Sequence, residues 1–380
     1  MLFPDTPEDR GGVYSGCGFV KEDTLYLFYT GNVKEPGDHD YIKSGRLANV
    51  ILVTTKDGVT MSPKKVLLRN SDYPPYCSCH VRDPKVWEEG GSYRMVLGAR
   101  TLDDRGCVLY YRSDDLEHWE FNRTLFGEDG SYMWECPDEF TLGNARFLSA
   151  SPQGAPHGKY GFQNVYSAGY FTLGSKKAGD YREWDKGFDF YAPQTFDAPD
   201  GRKILIGWEG IGDIPYTNPT AALGWQHCLT LPRELSLSPD GCILQQPVRE
   251  LERLRSSEIR FSGGWVETPL PFEFVGETGD GFVISLGSFL ELKYEKDEFS
   301  LEFTGPAEGC GRDIRRAKLQ TLRSVRIIAD RSSVEVYLNG GEVVFSTRMY
   351  PGDTSVTFSA EGVSGKLYAL EGMRFTYDEK

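Results

Sequence analysis

Ser131-Tyr-Met-Trp-Glu-Cys-Pro-Asp-Glu-Phe-Thr-Leu142 opens a strand with chemically unusual residues. Its centre places one carboxylate, Glu135, between the bulky Trp134 and a cysteine, and Pro137 stiffens the exit. The Glu-Phe-Thr-Leu segment that follows is typical of the start of a strand. A carboxyl group in apolar surroundings is costly to ionise, so the sequence predicts a raised pKa and a proton-donating role for Glu135. The alternative is a surface glutamate beside a buried tryptophan.

The same plan recurs along the first two thirds of the chain. Each repeat has a special opening residue, a strand, a polar turn and a second, more apolar strand. The openings lie at residues 15, 83, 136 and 192, roughly 55–65 residues apart. Periods of about 40–50 residues or slightly more, with several strands in each, are typical of β-propeller blades. The sequence therefore predicts an all-β chain in which four blades are visible.

The pattern changes after Leu229–Leu237. Pro247–Arg255 has helical periodicity and is interpreted as a connector. From about residue 257 the chain alternates with period two, and Asn339-Gly-Gly341 is a hairpin signal between two such runs. Several strands of this kind predict an antiparallel β-sandwich. The predicted domains are a propeller over residues 1–246, a helical linker over 247–256 and a sandwich over 257–380.

Composition narrows the function classes. A length of 380 residues is comfortable for two domains, and a net charge of −14 argues against a nucleic-acid partner or an anionic membrane surface. No apolar run approaches the roughly 18 residues of a membrane span, and the first ten residues do not form a signal peptide. Eight scattered cysteines predict free thiols in a reducing cytoplasm. Cys77-Ser-Cys79-His80 has no second pair at zinc spacing, so no metal and no cofactor are predicted.

Propeller geometry brings the opening residues together. The first strand of each blade faces the central channel, so Ser15, Asp83, Glu135 and Tyr191 are expected to converge at one mouth. Two convergent carboxylates in different surroundings are the arrangement expected for glycoside hydrolysis. Arg82 precedes Asp83 and is expected to keep it ionised. The alternative interpretation of Arg82-Asp-Pro84 is a capped strand entry.

Several longer motifs carry a resemblance to a known family. They are Tyr14-Ser-Gly16, Arg82-Asp-Pro84, Trp134-Glu-Cys-Pro137, Gly187–Phe196, Ile206-Gly-Trp208, Leu231-Pro-Arg-Glu-Leu235 and Ser333–Asn339 through Tyr350-Pro351. In these motifs, in order and over nearly its whole length, the chain resembles glycoside hydrolase family 32, the β-fructosidases. The resemblance implies a five-bladed β-propeller followed by a C-terminal β-sandwich, and hydrolysis of terminal β-fructofuranosides with retention.

The resemblance also implies roles for individual residues. Glu135 matches the acid/base of the family, and Asp83 matches the aspartate that stabilises the oxocarbenium-like transition state. Arg82 is expected to orient that aspartate. The positions that match sugar contacts are Tyr14, Ser15, Tyr191 and Trp208. An aromatic residue such as Trp208 fits the protein core equally well.

One family feature is missing from the sequence. The nucleophile of the family is the aspartate of a Trp-Met-Asn-Asp-Pro-Asn-Gly-like motif that precedes Tyr-Ser-Gly, but here Tyr-Ser-Gly begins at residue 14. Asp5 and Asp9 lie in a Pro-rich lead-in, and no residue is assigned as the nucleophile. The prediction is that the first blade is missing, through a misassigned start, a truncation or a separate chain. Without the attacking carboxylate, the chain as given is predicted to be inactive.

The leading function is hydrolysis of sucrose 6-phosphate or sucrose inside a bacterial cell, with a small-molecule β-fructoside as the only partner. A second hypothesis is a non-catalytic or split-enzyme propeller that binds sugars. A third is another five-bladed glycosidase, such as an arabinan-degrading enzyme. The C-terminal sandwich and the motif around Glu135 argue against the third. The sequence makes no prediction of an oligomeric state.

Overall fold

The computed structural model describes residues 2–174 and 178–373, which are built almost entirely from β-strands. The predicted all-β class is confirmed. The chain forms two compact units. The first contains Met1–Pro156 and Tyr166–Arg182, and the second contains His157–Val165 and Glu183–Lys380. The predicted domain limits at residues 246 and 257 remain a prediction.

The first unit holds three four-stranded antiparallel sheets, each with its strands in chain order. The first sheet consists of β1 (Val13–Lys21), β2 (Thr24–Lys34), β3 (Arg46–Thr55) and β4 (Lys65–Leu68). The second consists of β5 (Cys77–Glu89), β6 (Ser92–Thr101), β7 (Gly106–Ser113) and β8 (Glu120–Phe126). The third consists of β9 (Met133–Leu142), β10 (Ala145–Gln153), β11 (Gly169–Leu173) and β12 (Ala178–Glu183). This four-stranded meander is the blade type that the repeats predict.

The second sheet is buried on both faces. In β6, Met95 and Leu97 pack into a core shared with the first sheet, whereas Val96 packs into a core shared with the third. Successive side chains of a strand point to opposite faces, so a strand between two cores must be apolar at every position. The nearly continuous apolar run of β6 follows from this position in the stack.

Trp134 anchors the third sheet to the second. Its ring is fully buried and stacks on Phe171 with centroids 4.7 Å apart. Glycines make room for it: a Cβ on Gly98 would lie 2.1 Å from the Trp134 carbonyl oxygen, and a Cβ on Gly127 would lie 2.3 Å from Trp134 Cζ2. Any larger side chain at these two glycines would push Trp134 out of place.

The second unit begins with a fourth sheet of the same type. Its strands are β13 (Tyr191–Asp197), β14 (Lys203–Glu209), β15 (Cys228–Leu229), β16 (Arg233–Leu237) and β17 (Ile243–Pro247), in the order β13-β14-β16-β17 with β15 paired to β14. The helical stretch predicted at Pro247–Arg255 is shorter than its periodicity suggests. It is a 3₁₀-helix over Arg249–Leu254, because β17 ends and β18 (Arg255–Phe261) begins immediately on either side.

Ten strands complete the second unit as one continuous antiparallel sheet folded over a single core. After β18 they are β19 (Gly264–Pro269), β20 (Phe272–Leu286), β21 (Leu290–Glu295), β22 (Glu298–Phe303), β23 (Ile314–Lys318), β24 (Ser324–Ala329), β25 (Ser333–Leu338), β26 (Val343–Arg348) and β27 (Ser355–Leu370). The pairing of the long strands β20 and β27 shifts in register between Thr278 and Val283 of β20. The two strands therefore belong to both layers of the sandwich. The predicted hairpin at Asn339-Gly-Gly341 joins β25 to β26. The predicted sandwich is confirmed, and its two layers share strands.

The remaining helices are short. They are 3₁₀-helices at Asn70–Asp72 and Pro219–Leu223 and a single α-helical turn at Pro306–Gly309. Among the residues that the structure describes, no helix has the length and apolar character needed to cross a membrane. The described residues include all eight cysteines, and none of these forms a disulfide.

Candidate active site

The first strand of each of three sheets, the predicted inner strand, carries the same irregularity. In β5 the pairing with β6 shifts between Arg82 and Lys85, in β9 the pairing with β10 shifts between Glu135 and Asp138, and in β13 the pairing with β14 shifts between Tyr191 and Gln194. In each case two residues of the inner strand face one residue of its partner, which is a β-bulge. A bulge changes the direction in which nearby side chains point. The side chains at the bulges of β5, β9 and β13 therefore point in a direction that a regular strand would not give them.

The bulges share a sequence signature. The first bulged residue is Asp83, Cys136 or Ala192, with φ of +62°, +47° and +49°, and the next residue is always proline. Proline lacks the N–H that a regular ladder needs, so inside a sheet it belongs at a bulge. A left-handed backbone at residues other than glycine costs free energy and is often found at functional sites. The X-Pro pairs were therefore the signal in the sequence for these three positions.

The two candidate carboxylates meet across the inner strands of the first unit, where β5 contacts β9. Asp83 is buried, with 6% of its surface exposed. Its Oδ2 accepts a hydrogen bond from the backbone N–H of Cys136 at 2.9 Å, and its own N–H donates to Thr30 Oγ1 at 3.0 Å. The residue after Glu135 thus binds Asp83 directly, so the structure brings together two of the four residues that were predicted to converge.

Glu135 is held by polar groups. Arg82 donates to Glu135 Oε1 from Nε at 3.0 Å and from Nη2 at 2.6 Å, and Gln153 Nε2 donates to Oε2 at 2.8 Å. The apolar surroundings expected from the neighbouring Trp134 are wrong, because adjacent side chains of a strand point to opposite faces. Trp134 faces the core, where its Nε1 donates to Ser131 Oγ at 2.9 Å. Sequence reasoning missed Gln153, which lies diagonally across from Glu135 on β10.

Burial decides the protonation of Asp83. The pKa of the Asp83 carboxyl is raised to about 6, because burial raises it more than the positive charge of Arg82 lowers it, and the nearby Glu135 carboxylate raises it further. Arg82 therefore favours the ionised form of Asp83, as expected, but burial outweighs it. The result is a carboxyl group that titrates close to neutral pH beside a second carboxylate bound to arginine.

His80 is a second residue that sequence reasoning missed as part of the site. Burial, together with the charges of Arg82 and Arg46, lowers the pKa of His80 to about 3, so its imidazole is neutral near pH 7. Nε2 lies 3.0 Å from the Tyr41 carbonyl and must donate to it, which leaves Nδ1 to accept from Arg82 Nη1 at 2.9 Å. His80 thus fixes the guanidinium that holds Glu135. The signal was its position two residues before Arg82, on the same face of β5.

Tyr14 and Ser15, two further predicted site residues, lie at a bulge in β1. The register of β1 and β2 shifts between Tyr14 and Gly16, which leaves the exposed Ser15 as the extra residue. Gly16 is required there, because a Cβ would lie 1.8 Å from the Phe28 carbonyl oxygen. Tyr14 is 41% exposed, so its ring is open to solvent.

Asp9 does not lie at this site. Its carboxylate is fully buried and accepts hydrogen bonds from Tyr29 Oη at 2.8 Å, from Thr6 and from Lys64. Tyr29 and Thr30 are adjacent on β2 and point to opposite faces of the sheet. Thr30 binds Asp83, so Asp9 lies across the sheet from the site and fastens the N-terminal segment.

Tyr191 and Trp208 belong to the second unit. They are direct partners in the register of β13 and β14, so the structure brings these two aromatic residues together. Tyr191 is buried, and Trp208 is half-buried and stacks on His227 with centroids 4.8 Å apart. Asn218 Nδ2 lies 3.1 Å from His227 Nε2, and burial lowers the pKa of His227. Tyr191 occupies the same position in its bulge as Glu135 does in β9.

Family models match both ends of the chain. The model "Glycosyl hydrolases family 32 N-terminal domain" matches residues 1–247, and "Glycosyl hydrolases family 32 C terminal" matches residues 294–372. A sucrose-6-phosphate hydrolase of Bacillus subtilis is 38% identical over 96% of this chain and 79% of that protein. A raffinose invertase of Escherichia coli is 35% identical over 98% of this chain and 81% of that protein.

Solved structures of similar proteins agree with these matches. The sucrose-6-phosphate hydrolase of Lactobacillus gasseri superposes with a TM-score of 0.86 at 26% identity, over 97% of this chain and 80% of that chain. A Bombyx mori GH32 β-fructofuranosidase, solved as a mutant in complex with sucrose, gives a TM-score of 0.79 at 29% identity, over 94% of this chain and 79% of that chain.

Proposed function

Since the chain belongs to glycoside hydrolase family 32 and is by family a β-fructofuranosidase, we propose that it cleaves sucrose 6-phosphate or sucrose with retention. One observation carries the site assignment: across the bulges of β5 and β9, Asp83 accepts a hydrogen bond from the backbone N–H of Cys136, the residue next to Glu135. The names of the relatives, several of them sucrose-6-phosphate hydrolases, support the phosphorylated sugar as the first substrate to test. The proposal also includes the five-bladed propeller of the family resemblance and a cytoplasmic location.

Glu135 is the proposed acid/base. In retaining hydrolysis one carboxyl group protonates the leaving oxygen while a second, about 5–5.5 Å away, attacks the sugar. Arg82 and Gln153 hold both oxygens of Glu135, which fixes the direction in which its proton leaves. His80 keeps Arg82 in place.

Asp83 is the proposed transition-state stabiliser. Its carboxylate is buried and partly satisfied by the N–H of Cys136, so it offers a preorganised negative charge to a developing oxocarbenium ion. We assign no residue as the attacker. Tyr14, Ser15, Tyr191 and Trp208 are the proposed sugar contacts, and the proposal extends to residues 1–380 being inactive or nearly so by themselves.

The test is release of fructose from sucrose and from sucrose 6-phosphate. It compares residues 1–380 with the same chain extended upstream in its reading frame, each with a matched Glu135→Gln variant. We expect activity in the extended form, loss of that activity in its Glu135→Gln variant, and little or no activity in the shorter form. Full activity of residues 1–380 would refute the inactivity proposal, and full activity of Glu135→Gln would remove Glu135 from its role.

A sugar-binding propeller is the second candidate. Both oxygens of Glu135 are already bound by donors, an arrangement that also suits a binding site in which this carboxylate is only structural. Sucrose binding by calorimetry, with no fructose release from either form of the chain, would favour this function over hydrolysis.

A further inference from the structure

A pocket in the second unit is not used by the proposed chemistry. Its volume is about 430 Å³, which lies within the range of about 300–1,000 Å³ typical of small-molecule sites. None of its lining residues is a candidate active-site residue, and all of them belong to the second unit. The residues that decide its chemistry are His157, Asn164, Asp213, Tyr216, Asp313 and Arg315.

The wall of the pocket is held in place by a network of hydrogen bonds. Asn164 Oδ1 accepts from Arg315 Nε at 2.9 Å and from Nη2 at 2.7 Å, and Asn164 Nδ2 donates to the Gly187 carbonyl at 2.7 Å. Gln163 bonds both the N–H and the carbonyl of Arg316, so its side chain mimics a strand partner of β23. A wall fixed in this way loses little conformational entropy when a ligand binds.

Aromatic side chains form the apolar part of the pocket. Phe188 and Tyr216 pack edge to face with centroids 6.0 Å apart, and the Tyr216 hydroxyl donates to the Phe188 carbonyl. The guanidinium of Arg315 lies 3.8 Å from the centre of the Phe188 ring, and that of Arg312 lies 4.2 Å from the Tyr216 ring. Ile214 and Pro215 extend this apolar surface.

The charges of the described lining residues favour a neutral ligand over an anionic one. Among those residues the two aspartates, Asp213 and Asp313, outnumber the one arginine, Arg315. The Arg315 guanidinium already donates to Asn164, to Asp313 and to the Ile314 carbonyl. Carboxylates accept strong hydrogen bonds from hydroxyl groups. An apolar floor with carboxylate, amide and imidazole groups around it suits a ligand with one C–H face and many hydroxyls.

We propose that this pocket is a second carbohydrate-binding site, which takes a neutral, unphosphorylated oligosaccharide such as sucrose. Asp213 and Asp313 accept hydrogen bonds from its hydroxyls, and the surface of Tyr216, Pro215 and Ile214 packs against its C–H face. The site binds sugar without cleaving it. An experiment can therefore refute this proposal without refuting the hydrolysis proposed above.

The test uses the full chain with Glu135→Gln, which prevents turnover, and isoleucine labelled with ¹³C at its methyl groups. Sucrose is titrated while methyl spectra are recorded, with the two key signals assigned through Ile214→Val and Ile259→Val. We expect a saturable shift of the Ile214 methyl, which lines the pocket. The methyl of Ile259, 45% exposed on β18 and not part of the pocket, should not move.

A double variant, Asp213→Ala with Asp313→Ala, should weaken the Ile214 response at least tenfold. The matched control is Asp330→Ala with Asp353→Ala, which changes the charge equally at two exposed residues away from the pocket. It should leave the affinity unchanged, and thermal unfolding verifies that both variants fold. An unshifted Ile214 methyl, an unchanged affinity in the first double variant, or tighter binding of sucrose 6-phosphate than of sucrose at Ile214 would each overturn the proposal.

Discussion

Two of the contacts between arginine and carboxylate in this protein differ in solvent access. In the first unit Arg82 holds Glu135 with side chains 12% and 17% exposed. In the second unit Arg233 holds Asp185 and Glu335, and all three side chains are at most 2% exposed. The same pair of chemical groups thus serves an open site in one unit and a closed network in the other.

The closed network is fully satisfied. Arg233 also donates to Gln245 and Ser346, and Asp185 accepts from the N–H groups of Gly187 and Ser346. Arg233 belongs to the Leu231–Leu235 motif and Glu335 to the Ser333–Asn339 motif, so two stretches that resemble the family are joined here. Their residues hold the second unit together.

The open pair is arranged differently. Asp83 has a left-handed backbone and a pKa raised to about 6, and its neighbour Glu135 is bound by Arg82. Strain and raised pKa values gather at functional sites because the surrounding fold must hold them. The comparison teaches that solvent access and strain, rather than the contact between arginine and carboxylate, distinguish the proposed active site from the structural network.

Glu135→Gln tests the proposed acid/base role of Glu135 and has the largest expected effect. Removing a general acid lowers the rate by about 10²–10⁴-fold. Initial rates of fructose release, measured in the upstream-extended chain, should therefore fall by this factor with little change in KM. The control is Glu120→Gln, exposed on β8, which should keep the full rate. A fall in KM alone, with kcat unchanged, would contradict the assignment.

Arg233→Met tests the structural side. It leaves Asp185 and Glu335 buried without their cation, and breaking a buried ion pair in this way costs about 3–5 kcal/mol of unfolding free energy. Urea denaturation followed by tryptophan fluorescence measures the loss. Lys56→Met is the control, since the Lys56–Asp23 pair is about 70% exposed on both sides and should leave the unfolding midpoint unchanged. Equal stability of the two variants would show that burial does not separate the two classes.

The pH dependence of stability sharpens the assignment of Asp83. Its pKa is about 6 in the folded protein against an ordinary value of 3.8, so the folded state binds this proton more tightly than the unfolded state does. The stability that Asp83 contributes is therefore fully present below about pH 4 and is lost as the pH rises through about 6, by up to about 3 kcal/mol.

Asp83→Asn removes this titration and isolates it. The difference in unfolding free energy between the parent chain and Asp83→Asn, measured by urea denaturation from pH 4 to pH 7, should shift in favour of the variant as the pH rises. A difference that stays constant across this range would show that Asp83 keeps an ordinary pKa.

Cys136→Ser should have the smallest effect. Asp83 receives its bond from the backbone N–H of Cys136 at 2.9 Å, whereas the thiol lies 3.7 Å from the same oxygen. A weak contact at that distance contributes little, so the rate of fructose release in the extended chain should change by less than about threefold. A loss as large as that of Glu135→Gln would mean that the side chain, and not the backbone, positions Asp83.

Much of the fold could be predicted from the sequence, because it depends on local patterns. Alternating strands, polar turns and the hairpin at Asn339-Gly-Gly341 are short-range signals, and the repeat of opening residues indicated blade-type sheets. The repeat alone predicted that Asp83 and Glu135 converge, and the structure joins Asp83 to the backbone of Cys136, next to Glu135. The helix predicted at Pro247–Arg255 is longer than the 3₁₀-helix observed at Arg249–Leu254. Periodicity does not show how closely the flanking strands confine a segment.

The sequence by itself determined the β-class, the repeat and the sandwich, and it predicted the two candidate carboxylates. Only the tertiary structure decided what surrounds them. Trp134 adjoins Glu135 in the chain but faces the opposite side of the strand, whereas Arg82 and Gln153, 53 and 18 residues away, hold its carboxylate. Burial, and with it the raised pKa of Asp83, depends on how sheets stack. That stacking joins residues distant in sequence, so no window of the chain contains it.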